Sequence, residues 1–487
     1  MRPQLIVNCG RVLSALLVTP DGQLVPCSQE IGHVATRHVS SDVLFDPRVT
    51  ENPDFVWDEA LEMLGKATPR NLFQRARRIG LRRPWDPQAA AEAMPLASPI
   101  DVLSSPAALA DRGAAAAPAV AFALLDALLD PTFAFVAERG IAPGDADAVV
   151  VLAAHASRAA CTVLEKLFRR RGFRRMTIVR REIAAAMAWI EQAPAACVVL
   201  DASDDDLHLH RVVIDDAGDR RELRTTASAT VPGLGWSAWS EQIASALQIP
   251  PSSAFERALL SSLTGSPESL PSRVTHGALQ SVLDDAWIAA RAADVRERLR
   301  APLATLGAEA EPVVFAGEIF ALDAVRKAFG AAAALNAPVL DHAVRAVALA
   351  MRWLHGGAAR RLAIVRGGTL RLDSGGGEAI ELLAPEQLPA PGESCHFAAD
   401  FRFAGDGAGK AFLLNLLWGA DRAPRGNATL CALPLELRPD AGDTLRLAVR
   451  LRRSGSGRRL SGTVEARLPS DVVAARAQFA EELEVTR

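Results

Sequence analysis

Tyrosine is absent from the 487 residues, and cysteine and methionine occur six times each. With alanine and arginine abundant, the missing tyrosine reads as base composition rather than chemistry. The thiols Cys9, Cys27, Cys161, Cys197, Cys395 and Cys431 are scattered and form no CxxC pair. That leaves no metal or dithiol framework to read from spacing. It predicts reduced, buried cysteines in a cytoplasm. A large charge imbalance is also missing. The net charge is −3, so nothing draws the chain generally to nucleic acid or an anionic membrane. No uninterrupted apolar run is present. The most apolar stretch, AAAAPAVAFALLDALLDPTFAFV, is broken by Pro118, Asp126, Asp130 and Pro131, and predicts a buried helix pair rather than a membrane span. The N-terminus, MRPQLIVNCGRVLSALLV, carries Asn8, Gly10 and Arg11 inside what would be an apolar leader core, so it does not read as a signal peptide.

Hydrophobic residues make up 49% of the chain, enough for well-buried cores, and the length calls for two or three domains. The chain opens as a β-meander, QLIVNCGRVLSALLV followed by a PDGQ turn. DADAVVVLAAHA holds a buried strand starting near Ala148. SRAACTVLEKLFRRRGF keeps helical spacing at Cys161, Leu164 and Leu167. RRMTIVR predicts a strand, REIAAAMAWIEQ a helix, EPVVFAGEIFALDAVRKAFG a strand, turn and helix, and APVLDHAVRAVALAMRWL a second helix. Strands and helices alternate to about residue 355, an α/β pattern. HGGAARRLAIVRGG then marks a composition break at 355–370. Beyond it, TLRLAVRLRRSGSGRRLSGTVEARL alternates with period two around a Ser/Gly turn, as an antiparallel sheet with one wet face does. SCHFAADFRF and KAFLLNLLW add strands, and DVVAARAQFAEELEV predicts a short helical tail.

One stretch stands apart. CVVLDASDDDLHLHRVVIDDA predicts a hairpin whose turn carries Asp201, Asp204, Asp205 and Asp206 around Ser203. Four carboxylates in one turn raise the question of what lies opposite them.

The order of these pieces resembles the 70-kDa heat-shock (DnaK-like) chaperone family over nearly the whole chain. The resemblance implies a multidomain α/β plus all-β protein. An actin-like two-lobe ATPase-type domain would occupy 1–357, a β-sandwich resembling the peptide-binding domain 365–470, and the helical tail 471–487. In that family ATP lies between two hairpin turns, one per lobe, whose glycines let backbone N–H groups approach phosphate. Similarity to the first turn puts Asn8 where the family has a metal-organising aspartate, keeps Gly10, and puts Arg11 and Val12 in place of threonines. In the second turn Asp201 matches, Ser203, Asp204 and Asp205 replace the residues that follow it, and Asp206 replaces a threonine. In GLGWSAWS, Trp239 matches and Trp236 replaces a glycine. Gly317 survives between Ala316 and Glu318 in the adenosine-side turn. Pro69, beside Arg70, falls at the family's lobe-1 lysine, and Leu152 at its switch proline. The remnant nucleotide set is therefore Asn8, Gly10, Asp201, Ser203, Asp204 and Gly317, with weak or absent binding of ATP or ADP with magnesium. The family's reaction, ATP hydrolysis, would be reduced to that of a pseudo-ATPase. The acidic turn reads either as a phosphate loop turned repulsive or as an ordinary solvated turn.

The resemblance also implies groove positions at Phe397, Phe412 and Leu414, with Gly375 and Glu378 where the family's closing arch is apolar, and without a helical lid. The partner implied is unfolded or extended polypeptide, with a co-chaperone or assembly partner, and neither nucleic acid nor membrane. A working but weak ATPase and a purely structural partner in an assembly are the alternatives.

Three other patterns carry less. Asp206, His208 and His210 share one strand face and offer a two-histidine, one-carboxylate metal set; the same residues also fit an ordinary half-exposed strand. GDGAGKAF lacks P-loop spacing and reads as a hairpin turn. The arginines at 446, 450 and 452 line a strand face without interleaved aromatics, which favours a solvated face over an RNA surface. No nucleophile–base motif occurs.

Overall fold

The computed structural model describes residues 2–10, 12–31, 34–36, 38–40, 43–45, 81–82, 94–96, 117–192, 194–202, 205–217, 220–249, 255, 259, 279, 281–321, 325–326, 339–355, 361–375, 377–384, 387–402, 411–436 and 444–486. The expectations for Arg11, Pro69, Arg70, Ser203, Asp204 and most of GDGAGKAF lie outside them.

Two mixed sheets and two antiparallel sheets organise the described chain. In the first mixed sheet, β1 (Gln4–Cys9) pairs antiparallel with β2 (Val12–Val18), and β2 with β3 (Leu24–Pro26). The strands β4 (Gln29–Ile31), β5 (Val34–Thr36), β6 (His38–Ser40), β7 (Val43–Phe45), β8 (Leu81–Arg82) and β9 (Met94–Leu96) are short, and β6 also joins β2. β10 (Asp147–Leu152) lies parallel to β1, and β11 (Arg175–Arg180) parallel to β10 at the sheet edge. β10 is buried along its whole length, so its near-continuous apolar run DAVVVL is the pattern of a parallel strand covered on both faces.

The second mixed sheet repeats this connectivity. β12 (Ala196–Asp201), β13 (Leu207–Ala217) and β14 (Arg220–Val231) form the antiparallel run, and β15 (Val313–Ala316) lies parallel to β12 as β10 does to β1. β1 and β12 thus hold equivalent places, and so do the turns that follow them.

Helices fill three layers. α1 (Ala117–Glu138) and α2 (Arg158–Arg170) cover one face of the first sheet, with Leu125, Phe133, Leu164 and Phe168 meeting Leu5, Val7 and Val150. Ser157 caps α2 by accepting from the Ala160 amide at 3.2 Å. α3 (Arg181–Ala186) and α6 (Val339–His355) lie between the two sheets. They share a core with Ile6 and Val149 from one sheet and Val199 and Val314 from the other. α4 (Trp236–Ala246) and α5 (Asp285–Leu306) cover the far face of the second sheet. The expected helix pair at 114–136 is one helix among the described residues: Pro131 sits inside α1, and buried leucines and phenylalanines lie on both sides of it. Packing there outweighs the backbone hydrogen bond that proline removes. No helix among the described residues is long and apolar enough to cross a membrane.

The composition break is not a loose linker at its centre. β16 (Arg361–Val365) lies parallel to β14 and extends the second mixed sheet. The two antiparallel sheets follow. β17 (Thr369–Asp373), β18 (Ile380–Leu383), β20 (Ala411–Gly419) and β21 (Ala428–Glu436) form one. β19 (Ser394–Arg402), β22 (Thr444–Arg453), β23 (Arg459–Arg467) and β24 (Val473–Glu482) form the other. Leu445, Leu447, Val449 and Leu451 point into the shared core, as their alternation predicts.

Among the described residues, the expected helical tail is of the wrong type. It is strand β24, paired with β23, followed by β25 (Glu484–Thr486), which pairs with β16. Alanine-rich DVVAARAQFAEELEV has good helix propensity. It also alternates: Phe479, Glu481 and Leu483 are buried, with more exposed neighbours between them. An unpaired β23 edge and an open sandwich core decide in favour of the strand. The last residues therefore tie the sandwich back to the second mixed sheet.

Candidate functional site: the cleft between two hairpin turns

The turn after β1 and the turn after β12 both open toward the layer containing α3. Asn8 follows Ile6 on that face, and Asp201 follows Val199. Between the turns stands Arg181, the first residue of α3. Its Nη1 donates to Asp201 Oδ1 at 3.2 Å and to Oδ2 at 3.1 Å, and both side chains are buried. Its Nη2 lies 2.3 Å from where a Cβ at Gly10 would be. A side chain at Gly10 would therefore push the end of the Arg181 side chain aside. Asn8 closes its own turn by donating to the Val12 carbonyl at 3.0 Å.

Of the other carboxylates of the acidic hairpin, Asp204 lies outside the described residues, and the Asp206 side chain is bonded within the chain. Asp206 accepts from the Gly233 amide at 3.0 Å and faces Arg425 of the sandwich at 3.5 Å. Asp205 is exposed and accepts from the Gly235 amide through its backbone carbonyl. Gly317 sits beside this hairpin, because β15 pairs Ala316 with Asp201 and the Ala316 carbonyl accepts from Ala202. Its φ of +97° explains the glycine. Asn8, Gly10, Asp201 and Gly317 do come together in one region. Trp236 and Trp239 are buried in the outer core of the second sheet rather than on the cleft.

Arg181 is the residue that pattern reading misses. The signal was present: VRREIAAAMAW places Arg180, Arg181 and Glu182 between a buried strand and an apolar helix, where charges need partners. Arg180 donates to the carbonyls of Ala153 and Ala156 at 3.1 and 2.9 Å. Glu182 is buried, and desolvation pushes its carboxyl up from the usual range. Cys9, close to Arg181, is pushed up to about 12 by burial, so it is a packed thiol rather than a nucleophile.

The histidines form a row rather than a metal centre. His155, in the loop after β10, lies 5.2 Å from His208, and His208 lies 6.3 Å from His210, ring centre to ring centre. His208 Nδ1 meets Thr230 Oγ1 and His210 Nδ1 meets Ser228 Oγ, each at 2.9 Å. The Thr230 hydroxyl in turn donates to Asp421 of the sandwich. Asp206 is engaged elsewhere, and among the described residues no group of three or more His, Cys, Asp or Glu side chains is placed to hold a metal.

His210 is fully enclosed, and burial first, then neighbouring His208, lowers its pKa to about 4. The unfolded chain then binds a proton between about pH 6.5 and 4 that the folded chain refuses. Stability should therefore fall as pH drops through that window, by up to about 3 kcal/mol from this residue. Urea unfolding of the parent and of His210→Gln at pH 7.5 and 4.5 checks this. An unchanged pH slope in the variant would assign the acid sensitivity elsewhere.

In the sandwich, Leu414 is 1% exposed and belongs to the core with Leu416, Trp418 and Leu447. It is core packing and not a groove floor, because the face it shares with Leu416 and Trp418 is turned to the second antiparallel sheet. Phe397 is half-buried on edge strand β19 and packs against the same core. The Phe412 side chain lies outside the described residues. Gly375, at φ +81°, and Glu378 are exposed on the turn between β17 and β18. The arginine face of β22 is exposed, with Arg446 3.9 Å from Asp400.

The chain matches no protein-family model and no curated protein.

Proposed function

We propose that the chain is a divergent member of the 70-kDa heat-shock chaperone family, a polypeptide-binding chaperone or scaffold that works without an ATP cycle. Two sheets of the same connectivity with helices between them support an actin-like pair of lobes. The sandwich beyond them supports a substrate-binding module. Six free cysteines agree with a reducing, cytoplasmic setting.

The observation that carries the reading is Arg181. Its guanidinium fills the space between the turns where the family's phosphates and metal would lie, and it holds Asp201 as an ion-pair partner. Magnesium–ATP does not fit this arrangement. It would have to displace a buried, bonded arginine and then face the acidic second turn. No hydrolytic step follows from these residues.

The test is calorimetric titration of ATP and ADP, with and without magnesium, alongside an assay for suppressed aggregation of a denatured protein. The expected result is no resolvable nucleotide heat, corresponding to a Kd above about 1 mM, with aggregation suppressed equally in the presence and absence of ATP. Micromolar ATP affinity with magnesium-dependent turnover would falsify the reading and favour the weak-ATPase alternative. Absence of any holding activity would favour the structural-partner alternative.

A further inference from the structure

We propose that the cavity bordered by β11, α2, α6 and the end of β24 binds a small hydroxylated polycarboxylate, with its carboxylates on the arginines of the rim and its hydroxyl on the buried acceptors of Gln4 and Asp147. This site is independent of the nucleotide cleft and of polypeptide binding.

The cavity has a volume of about 870 Å³, a usual size for a small-ligand site. Seven arginines and four carboxylates line it, so it carries an excess of positive charge. The less exposed arginines are matched within the chain. Arg158 meets Glu165 at 3.1 Å, Arg366 pairs with Glu481, and Arg180 donates to the Ala153 and Ala156 carbonyls. The unmatched charge is at the rim. Arg169, Arg174 and Arg175 are exposed, and none has a carboxylate partner among the described residues.

Two buried acceptors point to what else the ligand carries. Gln4 is 2% exposed and Asp147 9%, and they are register partners on β1 and β10. Gln4 Oε1 and Asp147 Oδ1 have no hydrogen-bond donor among the described residues. Arg2 stands 3.6 Å from Asp147 Oδ1, beyond hydrogen-bond length. A buried acceptor without a donor costs its desolvation in full, and a ligand hydroxyl offsets that cost. Arg175 is in turn the register partner of Asp147 on β11. One small molecule can therefore place a carboxylate on Arg175 and a hydroxyl on this row.

Side-chain direction selects separated carboxylates over a single phosphate. Ile6 and Val149 face the layer of α3 and α6, so Gln4, Asp147 and Arg175, in step with them, face it too. Arg169 belongs to α2, which covers the opposite face. One compact phosphate cannot touch guanidinium groups on both sides of a sheet. A branched polycarboxylate offers each of them its own planar pair of oxygens, the geometry a guanidinium fork matches. The contiguous charges of a triphosphate fit this separation no better.

The test is calorimetric titration of the full chain with citrate, in a carboxylate-free buffer without divalent cations. The expected result is a citrate Kd below about 1 mM, at least fivefold tighter than that of tricarballylate, which has the same three carboxylates and no hydroxyl. Arg169→Gln combined with Arg175→Gln, both exposed, should weaken citrate at least tenfold with an unchanged thermal midpoint. Gln4→Met should bring citrate down to the tricarballylate level without moving tricarballylate, which a purely packing role for Gln4 would not do. No citrate heat, citrate heat unchanged in the double arginine variant, or equal affinity for inorganic phosphate would overturn the proposal. Equal binding of citrate and tricarballylate by the parent would overturn the place given to the hydroxyl.

Discussion

Arg181→Ala should lower stability by about 3–5 kcal/mol, the cost of leaving a buried carboxylate without its partner. Asp201 is 3% exposed, and Arg181 spans both of its oxygens. Removing the guanidinium takes the ion pair from a carboxylate held in a core-like layer beside Val199 and Ile183, where desolvation disfavours its charge. The double variant Arg181→Met with Asp201→Leu should recover most of the loss, because similar volumes without charge leave nothing to desolvate. The measurement is urea unfolding of the three proteins at pH 7.5. A midpoint for Arg181→Ala equal to the parent would mean that the pair does not hold the cleft, and the nucleotide argument would lose its foundation. The pair also sets how a nucleotide rescue should behave. Changing Ser203, Asp204 and Asp205 to glycine removes charge from the second turn but leaves Arg181 against Gly10. Those three changes alone should not restore ATP binding.

Ending the chain after Asp471 should abolish soluble, cooperatively folding protein. The deletion removes β24 and β25, exposing β23 along its length and leaving β16 as a sheet edge. It removes Phe479 and Leu483 from the sandwich core and strips the buried Arg366 of Glu481. Loss of a buried phenylalanine costs about 3–5 kcal/mol, already comparable with the whole stability of many domains. Exposed strand edges then favour aggregation. Soluble yield and a thermal scan of the truncated and full chains decide the matter. A soluble truncated protein with the parent's thermal midpoint would mean that the last residues are an appendage. Phe479→Ala in the full chain provides a milder arm, expected to remain soluble with a lowered midpoint.

Local pattern determined much of this protein. Strict alternation in TLRLAVRLRR and RLSGTVEARL specified both strands and their inward faces, because a one-residue slip would bury arginines. A continuous apolar run marked β10 as a buried strand, QLIVNC marked β1 as the first strand of a meander, and the spacing in SRAACTVLEKLF marked α2. The acidic hairpin was legible in the residues, and the return of Asn8, Gly10 and Gly317 to its vicinity was what the family resemblance implied. Three matters were left to tertiary structure, each because its cause lies far away in sequence. The final residues can be helix or strand by propensity, and the open edge of β23 chose strand. Phe412 and Leu414 share a face by alternation, but only the second antiparallel sheet showed that Leu414 faces the core. The carboxylate opposite the question is Asp201, and its answer, Arg181, lies twenty residues upstream on a helix that only the packing of two sheets brings into the cleft. Charge pairing across a buried layer depends on distance and desolvation, which no local window of sequence contains.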